Sequence, residues 1–217
     1  HALIPRLDGA MPPGALAHLG TCASAFDESG QRGFVTFGKP RPRGAELRVL
    51  MTSGRDLIVS VTDAAFAAGT ANWLNDDHIE LWIGTDQSGL SCNGSTIKLA
   101  QWAIGLDGKV NHGAGDPSGP PEVAARAERS IGGRRQVTLH IRLPAIENDD
   151  QRGISVVFSK SEGGKQARMT ATSPVKRADE TTLSGVRKLD TKAVRCAMRE
   201  GQLDLIESGL PALLGEK

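Results

Sequence analysis

The chain has 217 residues, with 26 Lys and Arg against 25 Asp and Glu, for a formal charge of +1. That length suits one large domain, and the balance of charge argues against a dedicated polyanion binder, because phosphate backbones are held mainly by clustered cations. No run approaches the ~18 apolar residues of a membrane helix, and 26 Gly beside 3 Trp, 5 Phe and no Tyr point to an aliphatic, turn-rich β domain.

In chain order, the first 33 residues read as irregular, broken by Pro5, Pro12, Pro13 and several glycines. Phe34–Phe37 is a short strand candidate, cut off by Pro40 and Pro42. Glu46–Thr52 and Leu57–Asp63 alternate with period two around Ser53, Gly54, Arg55 and Asp56, the pattern of an antiparallel hairpin. Leu47, Val49 and Met51 share one face there, as do Leu57, Val59 and Val61. A loop with Trp73 leads to a strand over 76–84, in which Ile79, Leu81 and Ile83 point one way and His78, Glu80 and Trp82 the other. Strands follow over 97–106, 123–130, 136–143 and 154–159, with residues 111–121 read as a loop and Gly132-Gly133 as a turn. Residues 183–189 form a further strand candidate. Residues 193–206 read either as an amphipathic helix or as a hairpin turning at Glu200-Gly201. About eight alternating strands without crossover helices predict an all-β antiparallel sandwich or barrel. One domain is expected over 1–217, with its core in 45–175.

The three cysteines, Cys22, Cys92 and Cys196, are too widely spaced for a zinc site. They read as one disulfide and a free thiol in an exported chain, or as three thiols in a cytosolic one. The chain begins at His1, which reads as a processed mature chain, an excised domain or a chain with a leftover tag residue. Ser, His and Asp occur without a nucleophile elbow, so no catalytic residues are expected. Asn93-Gly94-Ser95 is a lone sequon.

Four segments together resemble the carbohydrate-binding modules of family 9 and their DOMON-type relatives. Leu57–Asp63 (LIVSVTD) is similar to that family's strand ending in Asp. The run DHIELWI from Asp77 is similar to its Asp-x-[Val/Ile]-Glu-[Leu/Ile]-aromatic-Ile strand, with Trp73 in the loop before it. The run QWAIGLDG from Gln101 resembles a strand ending in Asp-Gly, and VTLHIRLP from Val137 the strand ending in Ile-Pro. The resemblance covers about half of the chain. It implies a non-catalytic β-sandwich that binds an oligosaccharide or polysaccharide, in a periplasmic or secreted protein with an attached or partner catalytic domain, and no nucleic acid. By matching position, Asp63, Trp73, Glu80 and Gln101 would line the site, with His78 and Trp82 on the same strand face as Glu80. The chemistry suits a sugar, which offers an apolar C–H face to an aromatic ring and hydroxyls to acid and amide groups. Where the family's second aromatic would fall, the chain reads Arg168-Met169-Thr170-Ala171, so half of the usual aromatic clamp is absent and Arg168 stands in its place.

No cofactor is expected. Asp76, Asp77, Asp107 and Asp116 raise calcium as an alternative, although they lack EF-hand spacing. Met51, Met169, His78, His112 and His140 raise haem, with an electron-transfer domain as the alternative function. A structural or interaction sandwich without a sugar site is the other alternative.

Overall fold

The computed structural model describes residues 24–52, 56–70, 72–85, 97–115, 119–144 and 152–174, with short strands at 6–7, 176–177, 182–184, 195–199 and 202–207. Its strands are β1 (Arg6–Leu7), β2 (Ser24–Asp27), β3 (Phe34–Phe37), β4 (Glu46–Thr52), β5 (Leu57–Asp63), β6 (His78–Thr85), β7 (Ile97–Gly105), β8 (Val110–Gly115), β9 (Glu122–Ile131), β10 (Arg134–Arg142), β11 (Arg152–Glu162), β12 (Lys165–Ala171), β13 (Lys176–Arg177), β14 (Thr182–Ser184), β15 (Arg195–Arg199) and β16 (Gln202–Glu207). One sheet runs β1-β4-β5-β10-β9, with β2 also on β4. The other runs β13-β14-β7-β6-β11-β12-β3, with β8 also on β7. Apart from the short parallel pair β1·β4, the pairings are antiparallel.

Alternation dictates which way each strand turns. Leu47, Val49, Leu57, Val59 and Val61 pack inward with Val137, Leu139 and Ile141 of β10. From the facing sheet come Ile79, Leu81 and Ile83 of β6, Trp102 and Ile104 of β7, and Ile154, Val156 and Phe158 of β11. The two inner faces bury one aliphatic core, as a sandwich requires. Trp102 is 5% exposed within it. His78, Glu80 and Trp82 therefore occupy the face of their sheet that is turned away from this core.

The sandwich and the β4–β5 hairpin agree with the sequence expectation; the turn residues 53–55 lie outside the described residues. Of the two readings of 193–206, the structure takes the hairpin: β15 pairs antiparallel with β16. Two expectations change. Residues 110–115 form β8 against β7, although two glycines hide its alternation. The first 33 residues include β1 and β2. Among the longer strands, β12 was not expected at all; it joins β11 through Gly163 and Gly164 at φ +60° and +74°. Only glycine takes two successive left-handed positions freely, and this pair closes a tight hairpin. Cys22, Cys92, Asn93 and Asp116 lie outside the described residues.

Candidate functional site

The turn that carries Trp73 is built by side chains that capture backbone amides. Asn72 caps a 3-10 turn over Trp73–Asn75 by accepting from the Leu74 amide at 3.1 Å. Asp76 accepts from the amides of Gly69 (3.1 Å) and Thr70 (3.0 Å). Desolvation would raise the Asp76 carboxyl, but the bonds from Thr70 and Gly69 together outweigh it and hold the carboxyl below its ordinary range. Trp73, half-buried, stands edge-on to His78 with ring centroids 5.3 Å apart.

His78 opens β6, and its Nδ1 lies 2.8 Å from the Asp76 carbonyl. Two residues on, Glu80 is the centre of a buried network. Its Oε2 accepts from Trp82 Nε1 and Gln101 Nε2, both at 2.8 Å. Its Oε1 accepts from Gln166 Nε2 at 3.3 Å and lies 3.5 Å from His78 Nε2. Gln166 also donates to Ser159 Oγ at 2.7 Å. The cross-strand register explains the gathering, because Trp82 lies opposite Gln101 and His78 opposite Ser159. Five of the seven sequence candidates thus meet on one face: Trp73, His78, Glu80, Trp82 and Gln101. Gln166 and Ser159 join them unforeseen. Each is polar in a strand, a signal that names no partner until the register is known.

Asp63 and Arg168 are elsewhere. Asp63 ends β5 on the opposite sheet and faces inward, 2.8 Å from Lys160 Nζ. Lys160 also lies 2.8 Å from Asp77 and donates to the Ala65 carbonyl at 2.6 Å. Asp77 further accepts from the amides of Ser161 (2.7 Å) and Ala67 (3.1 Å). Burial alone would pull the Lys160 ammonium down, but its bonds to Asp63 and Asp77 outweigh that and raise it. Burial pushes Asp77 up despite Lys160. This triad bolts the sandwich end together. Arg168 lies opposite Lys160 on β12 and also faces inward. It pairs with Glu28 at 3.0 Å and with Glu162. Burial raises the Glu28 carboxyl, with Arg168 opposing it. Spacing along the chain does not reveal which end of which sheet a residue reaches, and neither residue meets Glu80.

The residues considered for calcium or haem are dispersed. Asp76 and Asp77 are engaged as above, and Asp107 accepts from the Lys109 amide at 3.1 Å. Among the described residues, no group of three or more His, Cys, Asp and Glu is placed to hold a metal ion. Met51 is in the core, His112 stands against Trp102, and His140 lies 2.7 Å from Asp56.

No protein-family model matches this sequence, and no curated protein matches it. Among solved structures, the chain is similar to a family 9 carbohydrate-binding module from Caldicellulosiruptor kristjanssonii in complex with glucose. The TM-score is 0.50 at 9% identity, over 87% of this chain and 97% of that one. A family 9 module from the same organism in complex with cellotriose has a TM-score of 0.48 at 10% identity, over 87% of this chain and 94% of that one. At such identity the likeness defines the fold, a β-sandwich of the family 9 carbohydrate-binding type.

Proposed function

We propose that this chain is a non-catalytic saccharide-binding module of an exported protein, with its site at the Trp73 end of the β6 face. One observation carries the reading. A half-buried Trp in a braced turn stands beside a converging set of acid, amide and imidazole groups. Sugar recognition needs that pairing, a ring for the C–H face and fixed polar groups for the hydroxyls. The glucose-bound structure of the same fold supports it. Titrating glucose and cellotriose against intrinsic Trp fluorescence tests it: a saturable change is expected, and Trp73→Ala abolishes it without lowering the melting temperature by more than a few degrees.

A second reading, a structural or interaction sandwich without a sugar site, is favoured by a different observation. Both Glu80 oxygens are already filled by protein donors, and Trp82 is 3% exposed. Silence toward every neutral sugar, with the chain folded, decides for it.

A further inference from the structure

Phe37 is 48% exposed at the end of edge strand β3. The register sets it in a row that crosses the sheet: His78 lies opposite Ser159, Ser159 opposite Met169, and Met169 opposite Phe37. Directly opposed residues turn to the same face. Phe37 is therefore on the face of Glu80, at the far end of the row from the His78 against which Trp73 stands. Strands are ~4.8 Å apart, so three steps separate Phe37 from His78 by about 14 Å. A single sugar does not bridge that span, and a short oligosaccharide does.

The chain leaves Phe37 through Gly38-Lys39-Pro40-Arg41-Pro42-Arg43-Gly44, an exposed cationic loop with a rigid seat. A Cβ on Gly38, at φ +76°, would come within 2.2 Å of the Ala167 carbonyl, so the loop lies directly on β12 beside Gln166. A Cβ on Gly44 would come within 1.9 Å of Glu28 Oε2. Between these anchors, the Arg41 amide donates to the Glu28 carbonyl at 2.7 Å, and Arg41 pairs with Glu162 at 2.9 Å. Two prolines fix φ at alternate positions, and Arg43 takes the left-handed region at φ +59°. Neighbouring carboxylates are committed: Glu28 to Arg168, Glu162 to Arg41 and Arg168, Asp77 to Lys160. Lys39 and Arg43 have no carboxylate partner among the described residues. The net charge of +1 describes the whole chain and leaves this local excess intact.

We infer that Phe37 and Lys39, at the start of the cationic loop, form a second subsite on the Trp73 face, which takes an anionic sugar unit of an oligosaccharide. The inference rests on the saccharide-binding reading and narrows it. The Phe37 ring stacks a sugar's C–H face, while Lys39, two residues beyond it, meets its carboxylate or sulfate through a charge-assisted bond; Arg43 leads to Gly44, whose carbonyl accepts from Arg134 of the opposite sheet at 2.6 Å. A loop already held by two prolines and two seated glycines loses little freedom on binding.

Calorimetric titration of the whole chain with glucose, cellohexaose, hexagalacturonate, a heparin hexasaccharide and polyphosphate tests this. At low salt the anionic hexamers bind about tenfold tighter than cellohexaose, and the preference fades at about 0.5 M NaCl. The carboxylate and sulfate arms report which acid the site takes. Lys39→Ser brings the anionic hexamers down to the affinity of cellohexaose. Phe37→Ala, at an exposed edge, weakens all hexamers about two- to tenfold and leaves glucose unchanged. Equal affinity for neutral and anionic hexamers, an inert Phe37→Ala, or polyphosphate binding as tightly as hexagalacturonate overturns the inference. If glucose still binds through Trp73 in those cases, the saccharide-binding reading stands alone. If no sugar binds, both fall.

Discussion

A carboxylate that is 3% exposed in mid-strand, as Glu80 is, survives only where donors surround it. Here Trp82 and Gln101 share Oε2 while Gln166 takes Oε1. Glu80→Ala orphans the two 2.8 Å donors, and unsatisfied buried groups cost ~1–3 kcal/mol each. The variant should lose on the order of 2–4 kcal/mol in urea unfolding. Glu80→Gln keeps an acceptor at the Oε2 position and turns its amide toward Gln166, which rotates to accept, so its loss should stay below about 1.5 kcal/mol. Equal losses in the two variants would show that the charge, and not the acceptor, holds the network. The face shared by His78, Glu80 and Trp82 was legible because period-two alternation fixes it. Gln166 was not, because its place depends on a strand that the sequence hides.

That strand is β12, KQARMTA, which shows no apolar alternation because its outward positions carry Gln166 and Met169 and its inward ones Arg168 and Thr170. The readable signal was Gly163-Gly164 after a strong strand, of the same kind as the correctly read Gly132-Gly133 turn before β10. Buried ions also displaced two predicted site residues: Asp63 and Arg168 serve β11–β12 packing through Lys160, Glu28 and Glu162. Removing one partner of a buried pair costs ~3–5 kcal/mol, because the remaining charges stay buried alone. Lys160→Met should therefore destabilise by about that amount, leaving Asp63 and Asp77 unpaired. The pH dependence has a defined sign. Lys160 titrates higher folded than unfolded, so its stabilisation is complete below its ordinary value of 10.5 and is lost as pH rises through the folded value. Asp77, raised by burial, contributes oppositely to an ordinary salt-bridged acid: its share is present below 3.8 and is lost as pH rises through its folded value. Melting temperatures in alkaline buffers should fall more steeply for the wild-type chain than for Lys160→Met. Parallel curves would remove Lys160 from the alkaline transition.

At the scale of the molecule, the sandwich was legible because every long strand that lines the core carries an aliphatic face, and scarce aromatics left that face to Val, Ile and Leu. What composition did not reveal is how an open sandwich protects its edges. Strand β9 spans ten residues, and among the described residues it pairs on one side only, with β10. Such an edge is a template for pairing with another chain. The register supplies the guard. Arg126 lies opposite Leu139 and Glu128 opposite Val137, so both charges point to the inner face of the sheet. Arg126 donates to the Leu106 carbonyl at 2.7 Å and pairs with Glu128, which in turn holds Arg135 at 2.6 Å. Inward charges at an edge make an added strand bury them, a cost that discourages pairing. Replacing both with valine raises β-propensity and removes that cost at once. R126V/E128V should therefore elute at a higher apparent mass as its concentration rises in size-exclusion chromatography with light scattering, while the parent chain's elution stays constant. If both elute alike across the range, these charges do not guard the edge.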